Sequence, residues 1–365
     1  MPRLRRSSCA APGIERRRRG RGFEYRDPAG ARIEDPEVLE RVAALAIPPA
    51  WRDVWICMDP LGHLQATGRD DAGRKQYLYH EHWRVHRDRL KFDSMIAFGE
   101  ALPRLRRRVT RDLRLAPAAS GDNGGEPLEL SRGRVLACAV RLLDVGFFRI
   151  GSEDYAERNE SYGLTTMLRE HVSIEAGELI FDFPAKSGQR RVQAIADRDA
   201  LAIVSTLKRR RAGTQLLAHR GARGWVEIRP EDVNAYIKDH TGGDFTAKDF
   251  RTWNATVLGA VALAGQRAGR AAASQRGVSA AVKTVAAYLG NTPAVARASY
   301  IDPRVIDRYL AGVTIAPAIG AVARTGPDLA DPRVRRRVEA AVLELLADAA
   351  PADARRAASD ARRAA

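Results

Sequence analysis

Leu289 to Pro303 reads LGNTPAVARASYIDP, and its local signals are clear. Gly290 suits the left-handed position that closes a helix, while Thr292 followed by Pro293 suits the cap and first position of the next helix. Asp302-Pro303 repeats that cap-and-proline start. The spacing predicts a helix ending at Leu289, a short helix from Pro293 and another from Pro303, with Tyr300 near the end of the short one. Taken alone, Tyr300 fits two readings, a packing residue with a hydrogen-bonded tip or a phenol placed for chemistry.

Upstream of this stretch the periodicity is helical over residues 199–211, 230–238, 246–265 and 279–289. Thr246 to Asp249 has capping-box spacing with Asp in place of Glu, which sets Arg251 in the first turns of its helix. Helix N-termini attract anions. Further upstream, HVSIE, GELIFDFP and QRRVQAI read as three strands split by Ala176-Gly177 and Ser187-Gly188, a small antiparallel sheet with Lys186 at the tip of its second hairpin. Residues 134–145 place Val135, Cys138, Ala139, Leu142 and Val145 on one helical face, ended by Gly146, with Phe147-Phe148-Arg149 following. A basic helix is expected around Pro103 to Leu115, and APAASGDNGGEP (116–127) is a loop by composition. Downstream, Val334, Val338, Val342 and Leu345 mark an amphipathic helix before an Ala/Arg-rich tail. There is no internal repeat.

The first third of the chain is strand-like. FEYRDPAGARI reads as a hairpin, residues 36–46 as a small helix, and WRDVWICMDPLGHLQATGRD as two strands around Asp59 to Gly62. GRKQYLYHEHW (73–83) interleaves basic and aromatic residues, and in a strand Tyr77 and Tyr79 face the same side. Those residues fit either a nucleic-acid surface or a small core with solvated charges. His80, His82 and His86 lack the supporting Cys or carboxylate spacing of a metal site.

Length and composition narrow the classes. The 365 residues are enough for two cores, and 45% hydrophobic with 29% charged residues describes a globular chain. The longest apolar run, VLGAVALAG after Thr256, is too short to span a bilayer. Net charge of +16 and a pI near 10.3 favour a polyanionic partner, with nucleic acid ahead of an anionic membrane. Cys9, Cys57 and Cys138 form no CxxC pair, so neither a zinc site nor a disulfide framework is suggested and a reducing cytoplasm fits. The first 22 residues hold eight arginines and no apolar segment, which reads as a basic disordered arm ahead of a transit peptide.

Phosphate loops (GxxxxGK[ST]), GxGxxG after a strand, HExxH and GxSxG are all missing from the sequence, and so is a tight acidic cluster for two magnesium ions. Chemistry on a phosphodiester would then rest on arginines, a lysine, an amide and a tyrosine. Here the sequence resembles the small poxvirus-type and bacterial type IB DNA topoisomerases. GFFRIGSEDYAERNESYGLTT (146–166) is similar to the family's first catalytic-arginine segment, FPAKSG to its hairpin lysine, KDFRTWNAT (248–256) to its second arginine segment, and LGNTPAVARASYIDP to its nucleophile segment. GRKQYLYH resembles its N-terminal DNA-clamp motif. The five motifs keep the family's order and cover about residues 23–312.

The resemblance implies an ATP-independent enzyme that relaxes supercoiled duplex DNA through a 3′-phosphotyrosine on Tyr300, with no cofactor, no metal and a sufficient monomer. Arg149 and Arg251 would clamp the phosphate, and Lys186 would protonate the leaving 5′-oxygen. Asn291 stands where many members have histidine; an amide donates a hydrogen bond but carries no proton or charge, so a stabilising role is implied. Arg74, Gln76, Tyr77, Tyr79 and Tyr155 are implied DNA contacts. The expected architecture is α+β: a basic arm (1–22), a mostly β DNA-clamp domain (23–92), a mainly α catalytic domain with a small antiparallel sheet (93–315), and a C-terminal helix and basic tail (316–365), the domains closing as a clamp on DNA in a cytoplasmic, nucleoid-associated protein. Two other readings stand beside it. A tyrosine recombinase would show His-x-x-Arg where this chain has Lys248-Asp249-Phe250-Arg251, and a non-catalytic nucleoid-binding protein would not require Tyr300, Lys186 and both arginines in this order.

Overall fold

Arg16 shows how this chain builds structure from basic sequence. The computed structural model describes residues 3–114, 130–153, 156, 160–268, 273–320 and 329–348. Within it Ile14–Arg19 is a strand, β1, which pairs with β2 (Gly22–Arg26) on one side and β3 (Arg52–Ile56) on the other. The expectation of a disordered arm over residues 1–22 is therefore corrected. Strand alternation buries Ile14, and Arg16 lays its guanidinium 4.1 Å from the Phe23 ring centroid while donating to the carbonyls of Ile47, Pro48 and Trp51. Long arginine stems cover apolar surface, so a charged run can still be a strand. Ahead of it Ser7 donates from its backbone to His63 Nδ1 at 3.0 Å.

The chain divides into two units, residues 1–93 and 94–365. In the first, a five-stranded antiparallel sheet runs in the order β2-β1-β3-β4-β5, where β4 is Leu64–Arg69 and β5 is Lys75–Tyr79. Helix α1 (Pro36–Ala44) starts on Asp35, whose carboxylate accepts from Glu37 N at 2.9 Å. Its Val42 joins Ile14, Val54, Ile56 and Ala66 in a small core. The expected turn after β3 is held by Gln65, which is buried and donates to the carbonyls of Asp59, Pro60 and Gly62.

Helix α2 (Glu81–Arg114) is far longer than the basic helix expected from Pro103. Proline removes one helical hydrogen bond and reads as a start. Here the buried series Met95, Phe98, Leu102, Leu105, Val109 and Leu113, spaced three and four apart, carries the helix through it. The expected loop over 116–127 lies outside the described residues.

The larger unit is centred on α3 (Arg132–Gly146), capped by Ser131 and buried along most of its length. Gly146 ends it as expected, but the left-handed residue is Phe147, at φ 53°. Gly146 is needed for space instead, since a Cβ there would lie 2.3 Å from the Phe148 ring. Strands β6 (Val172–Glu175), β7 (Glu178–Ala185) and β8 (Gln189–Ile195) form the predicted antiparallel sheet. Leu179, Phe181 and Phe183 alternate inward on β7, and Phe148 meets Phe181 edge-on at 4.8 Å. Next come α4 (Arg198–Arg209), a hairpin of β9 (Ala218–Gly221) and β10 (Gly224–Glu227) that the pattern did not predict, and α5 (Pro230–Thr241). Helix α6 (Ala247–Ala268) packs against α3, α5 and four later helices: α7 (Gln275–Leu289), α9 (Pro303–Leu310), α10 (Ala316–Ile319) and α11 (Pro332–Ala347). Val338, Val342 and Leu345 of the expected apolar stripe on α11 are buried in the same core. The architecture is α+β. No helix among the described residues is long and apolar enough to cross a membrane.

Candidate active site

The punctuated stretch folds as its caps dictate. Gly290 takes φ 60° after α7, and Asn291 N donates to Ala286 O at 3.0 Å, closing the helix in a Schellman turn. Thr292 accepts from Val295 N, and Pro293 opens α8 (Pro293–Ser299). Tyr300 ends that helix with its N–H on Ala296 O, and Asp302 caps α9. Backbone chemistry alone thus places the half-buried tyrosine at a corner between two short helices.

Two arginines converge there. Capping by Asp249, whose carboxylate accepts from Thr246 N at 2.7 Å, starts the helix that carries Arg251. The Arg251 guanidinium carbon stands 5.3 Å from the Tyr300 ring centroid. It is buried and donates to the carbonyls of Phe147 and Leu289, the latter at 2.9 Å, so it ties the segment before Arg149 to the segment before Tyr300. Arg149 in turn donates to Asn291 Oδ1. With its oxygen facing Arg149, the Asn291 amide must direct Nδ2 the other way, where it is buried and has no protein partner. Arg251 Nε is in the same condition.

Electrostatics follow from this crowding. Burial pushes the Arg251 guanidinium down to about 10, helped by the charge of Arg149; at neutral pH it remains protonated. For Tyr300 burial acts upward, but the charges of Arg251, Arg149 and Lys248 outweigh it and hold the phenol below its ordinary value.

A cavity of about 600 Å³ opens beside this pair, lined by Arg149, Lys186, Arg191, Arg251 and Gly290 among others. Lys186 is exposed, at the start of the 3₁₀ turn Lys186–Gly188 that joins β7 to β8. Tyr300 and Asn291 are not among the lining residues; Arg251 both lines the cavity and faces the phenol ring. Arg191 was missed. It donates to Tyr288 O at 2.7 Å and Gln193 Oε1 at 2.8 Å, and burial followed by the charge of Arg149 brings it down to about 10. Strand alternation carried the signal, because in β8 residues 191, 193 and 195 share the inward face.

The remaining candidates lie in the first unit or outside the described residues. Tyr77 and Tyr79 are exposed on one face of β5 with stacked rings, centroids 6.2 Å apart at 15°. Gln76 points to the opposite face with Leu78 and donates to Asp70 Oδ2 at 2.9 Å, which also accepts from Arg74 Nε at 2.9 Å. Tyr155 lies outside the described residues.

A family model described as the catalytic core of eukaryotic DNA topoisomerase I matches residues 80–311, and one described as the N-terminal domain of bacterial DNA topoisomerase IB matches residues 22–70. DNA topoisomerase 1B of Acanthamoeba polyphaga mimivirus is 29% identical over 305 residues, covering 81% of this chain and 87% of that protein. DNA topoisomerase 1 of Candidozyma auris is 28% identical over 130 residues, 35% of this chain and 16% of its own length. The catalytic-core match contains Arg149, Lys186, Arg251, Asn291 and Tyr300 together.

Proposed function

The chain belongs to the type IB DNA topoisomerase family and is an enzyme of that class acting on DNA, and from this premise we propose that it relaxes supercoiled duplex DNA without nucleotide or metal. Tyr300 Oη attacks a backbone phosphorus, forming the Oη–P bond as the P–O5′ bond breaks. The phenol proton leaves to solvent, and Lys186 supplies the proton that makes the departing oxygen a 5′-hydroxyl. The 3′-phosphotyrosine keeps the energy of the broken bond, so the reverse attack by the 5′-hydroxyl reseals the strand with no external energy source. Between the two steps the free end swivels.

Arg149 and Arg251 hold the non-bridging oxygens and stabilise their charge in the transition state. Asn291 Nδ2 adds a neutral donor where the phosphate sits. One observation supports this assignment above the others: Arg251 Nε, beside the tyrosine, and Asn291 Nδ2, on the amide that receives Arg149, are buried donors without protein acceptors, a condition that a phosphate oxygen relieves. All five side chains come from one chain, so a monomer suffices, and the exposed Tyr77 and Tyr79 face of β5 adds DNA contacts.

The test is plasmid relaxation in EDTA without nucleotide, on negatively and positively supercoiled DNA, with wild type and Tyr300→Phe. Wild type relaxes both and forms a covalent adduct; Tyr300→Phe binds DNA and forms none. Inactive, well-folded wild type across a range of salt refutes the proposal, and an adduct persisting in the variant moves the nucleophile elsewhere.

A further inference from the structure

We propose that Thr256 is a positioning residue for Tyr300, its hydroxyl docking the backbone of the nucleophile's turn onto helix α6; this rests on Tyr300 being the nucleophile. Thr256 is completely buried. Its Oγ1 lies 2.9 Å from Thr252 O and 3.2 Å from Tyr300 O, and it accepts from Asp302 N at 3.1 Å. One hydroxyl hydrogen is thus shared between two carbonyls while a lone pair receives the Asp302 amide. The hydroxyl touches the chain on both sides of Ile301, and so spans the corner at which α8 becomes α9.

Ile301 is buried against Gly259, where an added Cβ would stand 3.3 Å from its Cγ2. The Asp302 carboxylate is engaged elsewhere, accepting from Arg304 N at 2.9 Å and from the Arg304 guanidinium at 2.7 Å. The same helix carries Arg251, whose guanidinium faces the Tyr300 ring. Thr256 therefore fixes the tyrosine's backbone to the element that supplies its catalytic arginine. Without the hydroxyl, the Tyr300 carbonyl and the Asp302 amide lose a partner that water cannot replace without moving the turn outward. A displacement on the order of 1 Å at a reacting atom is enough for a rate loss of about a hundredfold.

The experiment compares Thr256→Val, which keeps shape and loses the hydroxyl, with Thr256→Ser, which keeps the hydroxyl. Single-turnover cleavage is followed at saturating duplex DNA, DNA affinity is measured separately, and thermal melting checks folding. Thr256→Val is expected to cleave at least about tenfold more slowly with affinity unchanged within about twofold, and Thr256→Ser to stay within about threefold of wild type. The pH–rate profile of Thr256→Val should also move upward, because a displaced phenol loses the nearby Arg251 charge. A merely structural residue would lower the melting temperature and leave that profile in place. Folded Thr256→Val cleaving at the wild-type rate overturns the proposal, as does a Thr256→Ser variant as slow as Thr256→Val. Should Thr256→Val fail to fold, Gly259→Ala carries the test: it presses on Ile301 from the same helix and should slow cleavage several-fold without altering affinity, whereas a wild-type rate overturns the proposal. Wild-type protein that forms no adduct at all refutes the function proposed above instead.

Discussion

Replacing Arg335 with methionine removes one of two guanidinium ions from a buried cluster of four charges. Arg335 lies 2.7 Å from Asp144 and 3.1 Å from Glu339, and Arg106 lies 2.8 Å and 2.6 Å from the same two carboxylates. The acids are 4% and 9% exposed and the arginines 19% and 14%, so solvent screening is weak. The cluster is neutral as built; the variant leaves two buried carboxylates sharing Arg106. Breaking a buried pair in this way costs about 3–5 kcal/mol. At about 2–4 °C per kcal/mol for a unit of this size, melting should fall by about 6–20 °C. Removing Glu339 as well, in Arg335→Met/Glu339→Leu, leaves the neutral Arg106–Asp144 pair, so the double variant should lose less than the sum of the singles. Burial pushes the Asp144 carboxyl up, but the charges of Arg106 and Arg335 more than reverse it and hold it well below the usual carboxylate range. Its contribution is therefore present above the unfolded carboxyl's ordinary value and is lost as pH falls below it, and acid should narrow the gap between wild type and variant. Denaturant and thermal unfolding of the full chain measure all three. A loss under about 1 kcal/mol for Arg335→Met, or strict additivity in the double variant, refutes the claim that these four charges act as one buried cluster.

Asn291→Ala removes the acceptor of Arg149 and one unpartnered donor at once, and single-turnover cleavage should fall by about a hundredfold, the usual consequence of losing one transition-state donor. Arg149→Met takes away a charge that lowers the Tyr300 phenol, so the rising limb of the residual cleavage rate against pH should move to higher pH; an unmoved limb would deny that electrostatic link. Raising salt from about 50 to about 200 mM should weaken duplex binding by about a thousandfold through counterion release, and a change under tenfold would mean few phosphate contacts. Tyr77→Ala should weaken DNA binding while leaving the cleavage rate at saturating DNA within about twofold, checked by titration and quench-flow, since an exposed side chain distant in sequence from the reacting groups contributes uniform binding.

Much of the site's backbone was legible because capping is local chemistry. Gly290, Thr292-Pro293 and Asp302-Pro303 each act within a few residues of their own positions, and the strands around Lys186 follow from plain alternation. What escaped was what arginine does over distance. Arg16 packs a strand that composition marks as disordered, and Arg191 faces inward on a strand that the pattern found without singling the residue out. The β9–β10 hairpin, HRGARGW at its centre, hid for the same reason. Thr256 was invisible too, because its partners Tyr300 and Asp302 are more than forty residues away.

Arginine chemistry also distinguishes the scaffold of the larger unit from its candidate site. Several partly buried arginines that hold structure are answered by carboxylates, as Asp144 and Glu339 answer Arg106 and Arg335, and as Asp302 answers Arg304. Arg149, Arg191 and Arg251 meet carbonyl or amide oxygens instead, and no ion pair of theirs occurs among the described residues. Neutral acceptors fix orientation without discharging the cation, leaving its field for an anion that arrives later. Lack of a carboxylate is not sufficient by itself. Arg210 also bonds carbonyls, those of Ala212 and Leu216, and stands apart from the site at 5.5 Å from the Trp225 ring centroid. Convergence distinguishes the site: three such guanidinium ions and Lys186 line one cavity, and one of them faces the tyrosine. On the function proposed above, Arg149, Arg251 and Lys186 serve one phosphodiester and leave Arg191 for a neighbouring phosphate, so Arg191→Gln should reduce DNA affinity more than it slows cleavage at saturating DNA. The reverse order, a slow chemical step with affinity intact, would place Arg191 on the scissile phosphate itself.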